Sequence, residues 1–119
     1  MTLRCLIVDD NADFGDAATG LLEGQGITVV GIATSAGDAL RKADVLRPQL
    51  ALVDIKLGDQ SGFDVARQLA MRAETPKVIL ISTEERQDYE SLINASPALG
   101  FLPKTDLSAA AIHELLACR

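Results

Sequence analysis

Residues 5–11 read Cys-Leu-Ile-Val-Asp-Asp-Asn, an apolar run that stops abruptly at two carboxylates. An unbroken apolar run of this kind is typical of a strand buried on both faces, as in a parallel sheet covered by helices. Two further runs end in the same way, residues 50–53 at Asp54 and residues 78–81 at Ser82. The sequence therefore predicts a parallel sheet whose strands end on functional side chains.

Apolar runs alternate with helical segments along the whole chain. Predicted strands lie at residues 3–8, 27–33, 50–53, 78–81 and 99–102. Helices are predicted from apolar residues at helical spacing and from capping side chains, at residues 12–25, 35–47, 63–72, 84–94 and 107–117, the last with Thr105 or Asp106 as its cap. Residues 56–62 are rich in glycine and polar side chains, which predicts a loop. This alternation predicts an α/β fold in three layers, with right-handed crossovers and helices on both faces of the sheet.

Composition and charge restrict the class of protein. A chain of 119 residues suffices for one domain with its own core, and we expect that domain to span residues 1–119. The net charge of −6 argues against direct nucleic-acid binding and against an anionic membrane surface, since both need basic side chains. Cys5 and Cys118 are the only cysteines, and we expect reduced thiols in a cytoplasmic protein rather than a disulfide.

Charged side chains are predicted to meet where the strands end. In sheets of this kind ligands bind beyond the carboxyl ends of the strands, at the point where the strand order reverses. The predicted strands place Asp9, Asp10, Asp54, Ser82 and Lys104 at those ends. Three neighbouring carboxylates need a protonated member or a cation, and oxygen ligands of this type suit Mg²⁺. A carboxylate nucleophile, a metal, a lysine and a hydroxyl donor are together what in-line phosphoryl transfer requires.

The sequence resembles the receiver domain of two-component response regulators over essentially its whole length. The resemblance rests on Leu-Ile-Val-Asp-Asp-Asn at residues 6–11, Leu-Val-Asp-Ile-Lys-Leu-Gly at 52–58 with Gly62 downstream, Ile-Ser-Thr at 81–83, and Gly-Phe-Leu-Pro-Lys at 100–104. Each piece alone is weak, but all of them in this order and at strand ends form a specific signal. The resemblance implies a flavodoxin-like, doubly wound sheet of five parallel strands in the order 2-1-3-4-5.

The resemblance also implies roles for the acidic residues. Asp54 corresponds to the aspartate that takes a phosphoryl group from a sensor histidine kinase. Asp10 corresponds to a direct Mg²⁺ ligand, and Asp9 to a residue that acts mainly through metal-bound water. The backbone carbonyl of Lys56 corresponds to the remaining protein ligand, beside Asp54 itself.

A second set of residues is implied to act as a switch. Ser82 resembles the hydroxyl that swings towards the phosphoryl group, and Phe101 resembles the aromatic residue that rotates inward when that loop moves. Lys104 resembles the lysine that contacts the phosphoryl oxygens. The face formed by the fourth helix, fifth strand and fifth helix would then present a changed surface to a downstream effector, or to a second copy in a homodimer. Lys56 and Glu84 are expected to tune the lifetime of the phosphorylated state.

Other functions stay open at this point. A Mg²⁺-dependent phosphohydrolase of the haloacid dehalogenase type would want a second acid two residues after the nucleophile, where Lys56 stands. A degenerate receiver used only as an interaction module would not need the complete set of site residues. The chain could also be the N-terminal part of a DNA-binding transcriptional regulator. We favour a signalling switch, which catalyses only its own phosphorylation and dephosphorylation and is not otherwise an enzyme.

Overall fold

The structure, a computed structural model, describes residues 2–72 and 74–117. Its main sheet is parallel throughout and contains β1 (Arg4–Val8), β2 (Thr28–Ala33), β3 (Leu50–Asp54), β4 (Lys77–Ser82) and β5 (Gly100–Pro103). Hydrogen bonding gives the strand order β2-β1-β3-β4-β5. The predicted flavodoxin-like fold and its strand order are thereby confirmed.

Four helices connect the strands as crossovers: α1 (Ala12–Gly24), α2 (Ala36–Leu46), α3 (Gly62–Ala70) and α4 (Glu90–Ala95). A fifth helix, α5 (Ala109–Ala117), follows β5. Polar side chains begin the first two, because the Asn11 Oδ1 accepts a hydrogen bond from the Phe14 N–H and the Ser35 Oγ accepts one from the Asp38 N–H. Such caps satisfy N–H groups that have no partner within the helix. Ser35 acts as the predicted cap of α2.

Two apolar clusters lie on opposite faces of the sheet, because side chains alternate along each strand. In β3, Ala51 and Val53 belong to one cluster, whereas Leu50 and Leu52 belong to the other. Helices α2, α3 and α4 cover the first cluster, and helices α1 and α5 cover the second. Every residue of β3 is buried, so this strand and its carboxyl end have little freedom to move.

The segment after β3 departs from the predicted loop. Lys56–Leu57 and Gln60–Ser61 form a small antiparallel hairpin, with Gly58 at a φ of 63° in its turn. A two-residue strand is too short to show any periodicity, so the sequence pattern could not indicate it. Glycine adopts this left-handed conformation without a steric penalty.

The fourth and fifth helices are both shorter than predicted. Residues 84–94 form a single turn of 3₁₀ helix at Arg86–Asp88 and then α4, which begins only at Glu90. The prediction of one continuous helix there was wrong, because few apolar side chains anchor its first half. The caps predicted for the last helix were also wrong: residues Lys104–Asp106 form a 3₁₀ turn, and the Ser108 Oγ accepts a hydrogen bond from the Ala111 N–H instead.

Leu107 explains the late start of α5. Its side chain is 7% exposed and joins the cluster beneath α1 and α5, and its backbone is extended. Burying a leucine side chain stabilises the fold by about 2 kcal/mol, which is more than one additional helical residue would contribute.

All peptide bonds of the described residues are trans, including the bond between Lys104 and Thr105. Within the described ranges, no helix has the length and apolar character needed to cross a membrane. Cys118 lies outside the described residues.

Candidate functional site

The carboxyl ends of four strands meet at one edge of the sheet. Val8 pairs with Val53, Asp54 with Ile81, and Ser82 with Pro103, so the residues at or after these pairs are neighbours in space. The order reverses between β1 and β3, where a crevice opens in folds of this type. The predicted site therefore lies at the topological switch point of the sheet.

Three carboxylates converge at this crevice. Asp9, Asp10 and Asp54 each offer one oxygen, and these three oxygens lie within 4.8 Å of one another. Asp9 is completely buried and Asp54 is 6% exposed, whereas Asp10 lies at the surface. The Asn11 N–H donates to the Asp9 Oδ1 at 2.8 Å, which fixes that carboxylate against the first turn of α1.

Lys104 bridges two of the three carboxylates. Its Nζ lies 2.7 Å from the Asp9 Oδ2 and donates to the Asp54 Oδ2 at 3.2 Å. Burial alone would lower the pKa of Lys104, but the close contact with the Asp9 carboxylate and the charges of Asp54 and Asp9 outweigh it and raise that pKa. The lysine therefore stays cationic at this site.

The surroundings of Asp54 disfavour its ionisation. Burial and then the negative charge of Asp9 raise its pKa from 3.8 to about 6, although Lys104 and the Lys56 N–H, 3.3 Å from the Asp54 Oδ1, act in the opposite direction. Desolvation penalises the charged form of an acid, and a second negative charge adds to the penalty. An additional cation near Asp54 would remove that penalty.

The carboxylates fit a divalent cation. Although Lys104 Nζ is close to the Asp9 Oδ2, this buried oxygen has no hydrogen-bond partner of good geometry among the described residues. A buried carboxylate oxygen without such a partner is costly, and a single ammonium group cannot neutralise three carboxylates. Oxygen ligands of this kind, one of them open to solvent, suit Mg²⁺, which retains several of its waters. Asp9, Asp10 and Asp54 are the residues that would hold it.

Gly62 brings the start of α3 against the backbone of Asp54. A Cβ at position 62 would lie 2.1 Å from the carbonyl oxygen of Asp54. The Gly62 N–H donates to the carbonyl oxygen of Ile55 at 2.8 Å, which closes the hairpin segment onto β3. Only a residue without a side chain fits here, so Gly62 determines how the backbone leaves the end of β3.

The model of the response regulator receiver domain family matches residues 5–117. This chain belongs to that family. The receiver is 36% identical over 94 residues to a protein-glutamate methylesterase/protein-glutamine glutaminase of Symbiobacterium thermophilum, in a match that covers 78% of the receiver and 26% of that protein. It is 37% identical over 90 residues to the DNA-binding response regulator MtrA of Mycolicibacterium paratuberculosis, with 74% and 39% covered.

A solved structure extends the similarity to the whole fold. The signal receiver domain of a modulated diguanylate cyclase from Desulfovibrio desulfuricans has a TM-score of 0.82 and 28% identity, over 99% of this receiver and 93% of that chain. The receiver spans well under half the length of the two curated relatives. The activities for which these relatives are named therefore belong to those longer proteins.

The two predicted switch residues of the receiver are both buried. The Ser82 Oγ accepts a hydrogen bond from the Glu84 N–H at 3.0 Å, so in this conformation the hydroxyl caps its own loop. Phe101 is 7% exposed and packs into the apolar cluster beneath α2, α3 and α4. Ser82 lies at the carboxyl edge of β4, beside Asp54 on β3, which is where a hydroxyl switch would have to be.

A polar bridge joins the segments that follow Asp54 and Ser82 in the receiver. Lys56, two residues after Asp54, forms an ion pair with the Glu84 Oε1, and the Tyr89 hydroxyl donates to the same oxygen at 3.0 Å. These hydrogen bonds lower the pKa of Glu84, with Lys56 as the larger cause. The sequence indicated Lys56 and Glu84 by their spacing from Asp54 and Ser82. It gave no signal for Tyr89, because the irregular start of α4 brings that ring into reach.

Phe14 is the other residue at the site that the sequence did not indicate. Its position on α1 predicts a core side chain, and it does pack against the cluster beneath α1 and α5. However, the Lys104 Nζ also lies over its ring, 4.4 Å from the ring centre. The arrangement joins two segments about ninety residues apart, so no local pattern could reveal it.

Proposed function

We propose that Asp54 is the phosphoacceptor of this receiver and takes a phosphoryl group from a sensor histidine kinase in a Mg²⁺-dependent reaction. The observation that supports the proposal most directly is the placement of the Asp54 carboxylate. It lies at the end of a buried strand, its Oδ2 accepts from Lys104, and oxygens of Asp9 and Asp10 lie within 4.8 Å. Asp9 also contacts Lys104 and the other two carboxylates, but it follows β1 and is completely buried, whereas Asp54 is the last residue of β3 and is 6% exposed.

The reaction is an in-line displacement at phosphorus. An ionised oxygen of Asp54 forms the new P–O bond while the P–N bond of the phosphohistidine breaks, and the leaving imidazole nitrogen keeps the electron pair. Lys104 offsets charge on the phosphoryl oxygens, and the Lys56 N–H, which already reaches the Asp54 Oδ1, is placed to orient the nucleophile. Mg²⁺, when bound by Asp9, Asp10, Asp54 and the carbonyl of Lys56, supplies further charge neutralisation.

Phosphorylation would change the partner of the Ser82 hydroxyl. Its Oγ now accepts from the Glu84 N–H, and a phosphoryl group on the neighbouring Asp54 offers that hydroxyl a charged acceptor. Movement of the Ser82 loop would draw Phe101 further inward and alter the face of α4, β5 and α5. That face would meet the downstream effector. A homodimer through it and a cytoplasmic location stay predictions.

The proposed role is that of a switch rather than of an enzyme with an external substrate. Lys56 stands where a dehalogenase-type phosphatase would carry its second acid, and its side chain pairs with Glu84 instead. The net charge of −6 supports the prediction that this domain does not itself bind nucleic acid. Any effector activity would belong to other parts of a longer protein or to a separate partner.

A small phosphodonor with Mg²⁺ tests this proposal. Intact mass spectrometry of the receiver should show one added phosphoryl group per chain, absent without Mg²⁺ and absent in Asp54→Asn. Release of many equivalents of phosphate per chain on a time scale of seconds would indicate a phosphohydrolase. Failure of a folded wild-type sample to acquire any phosphoryl group would indicate an interaction module and overturn the proposal.

A further inference from the structure

An aromatic ring lies against the ammonium group of the site lysine. The Lys104 Nζ is 4.4 Å from the centre of the Phe14 ring, and the same atom is 2.7 Å from the Asp9 Oδ2 and 3.2 Å from the Asp54 Oδ2. The lysine side chain is 11% exposed. The ammonium group is therefore enclosed by two carboxylates and a ring.

The backbone of Phe14 is tied to Asp9 through Asn11. The Asn11 N–H donates to the Asp9 Oδ1 at 2.8 Å, and the Asn11 Oδ1 accepts from the Phe14 N–H at 3.1 Å. The ring also packs into the apolar cluster beneath α1 and α5. Phe14 is thereby held at a fixed distance from the same carboxylate that binds Lys104.

Lysine by itself is a poor choice for a precisely placed charge, because its ammonium group sits on a flexible four-carbon stem. Here the exposed carboxylate of Asp10, next to those of Asp9 and Asp54, and bulk solvent are alternative partners for the ammonium group. The electron-rich face of an aromatic ring attracts a cation within about 6 Å of its centre, more strongly where water is excluded. A leucine could fill the same space but would offer no such attraction.

We propose that Phe14 is a positioning residue for phosphoryl transfer, whose ring holds the Lys104 Nζ between Asp9 and Asp54. This inference rests on the proposed role of Asp54 as phosphoacceptor. Phe14 is proposed to act on the reaction through its contact with Lys104. The ring keeps the ammonium group where the incoming phosphoryl oxygens need it.

The rate of labelling by a small phosphodonor with saturating Mg²⁺ tests the proposal. Phe14→Leu keeps an apolar side chain but removes the ring, and it should slow labelling of Asp54 by roughly 3- to 10-fold. Phe14→Tyr keeps the ring and should label at close to the wild-type rate. Val29→Ala is the matched control and should label at close to the wild-type rate. Val29 is half-buried in the same apolar cluster, but it lies near the start of β2, whereas the site lies at the carboxyl ends of the strands.

A double-mutant cycle separates positioning from packing. In a Lys104→Met background the ring has no ammonium group to hold, so Phe14→Leu should cause no further loss of rate. Equal losses of rate in both backgrounds would overturn the proposal. So would an unchanged labelling rate for Phe14→Leu when the wild type is itself labelled. An unlabelled wild type would instead overturn the proposed function of Asp54.

A measurement on the wild-type receiver covers the case in which Phe14→Leu does not fold. Protons on the Cε of Lys104 should show ring-current shifts in the NMR spectrum, because the ammonium group lies over the Phe14 ring. These shifts should persist in Phe14→Tyr. Random-coil chemical shifts for the Lys104 Cε protons in a folded sample would overturn the proposal without any variant.

Discussion

Asp54 occupies a position in which its own ionisation is unfavourable without a metal. Its pKa is raised to about 6 by burial and by the charge of Asp9. The folded protein therefore holds a proton on Asp54 at pH values where the unfolded chain has lost it. The contribution of Asp54 to the free energy of unfolding is therefore fully present below pH 3.8 and is lost as the pH rises through about 6.

Asp54→Asn should accordingly stabilise the magnesium-free protein at pH 7. Asparagine keeps the shape of the side chain and removes the unfavourable charge, and we expect a gain of about 1 kcal/mol after allowance for solvent screening. Urea unfolding at pH 4 and pH 7 measures it, and the gain should shrink at the lower pH. A loss of stability at pH 7 would show that the pairing with Lys104 outweighs burial.

The polar bridge should control how long the phosphoryl group persists. Lys56 and Glu84, each two residues beyond Asp54 or Ser82, form an ion pair. We expect Lys56→Ala or Glu84→Ala to admit water to phosphorylated Asp54 and to speed dephosphorylation by a few-fold. Decay of the labelled receiver, followed by mass spectrometry, measures this. Arg41→Ala, which removes an exposed ion pair with Asp38 on α2, serves as the control. The idea fails if both bridge variants decay at the wild-type rate.

At the scale of the elements, the junction between β3 and α3 depends on one residue. An alanine at position 62 would place its Cβ 2.1 Å from the Asp54 carbonyl oxygen, so the backbone must shift. We expect Gly62→Ala to cost about 2 kcal/mol of folding stability and to slow labelling of Asp54.

Gly37→Ala provides the comparison for Gly62→Ala. Gly37 lies in α2 with nothing within 4 Å of an added Cβ, so alanine there should stabilise the helix by about 0.5 kcal/mol. Thermal unfolding and labelling of both variants give the test. Equal stabilities for the two alanine variants would show that the junction tolerates displacement.

The elements differ in how well the sequence predicts them. Strands β1, β3 and β4 each contain an unbroken apolar run that is followed by Asp9, Asp54 or Ser82, so their carboxyl ends, and with them the site, follow from the pattern. The start of α5 does not follow from it, because the burial of Leu107 overrides local helix propensity. The contact between Phe14 and Lys104 depends on how α1 and β5 pack, which no local spacing encodes.

Across the whole receiver, one apolar cluster supports the ring beside Lys104 and the other contains the predicted switch residue Phe101. Helices α1 and α5 share one cluster, and the Gln25 Oε1 accepts from the Ala109 N–H at 2.6 Å, which ties the end of α1 to the start of α5. This side holds Phe14 beneath Lys104. The opposite cluster contains Phe101 of β5 and supports α4, so it underlies two of the three elements of the face that we expect to respond to phosphorylation.

Mg²⁺ is expected to bind at Asp9, Asp10 and Asp54, because one lysine cannot balance three neighbouring carboxylates. Calorimetric titration should show one saturable site in the wild type, and Asp10→Asn should weaken it by roughly tenfold or more. Asp16→Asn, which removes an exposed acid of α1 outside the cluster, should leave it unchanged. If the folded wild type showed no saturable binding, or if Asp10→Asn bound Mg²⁺ equally well, these carboxylates would not form the proposed Mg²⁺ site.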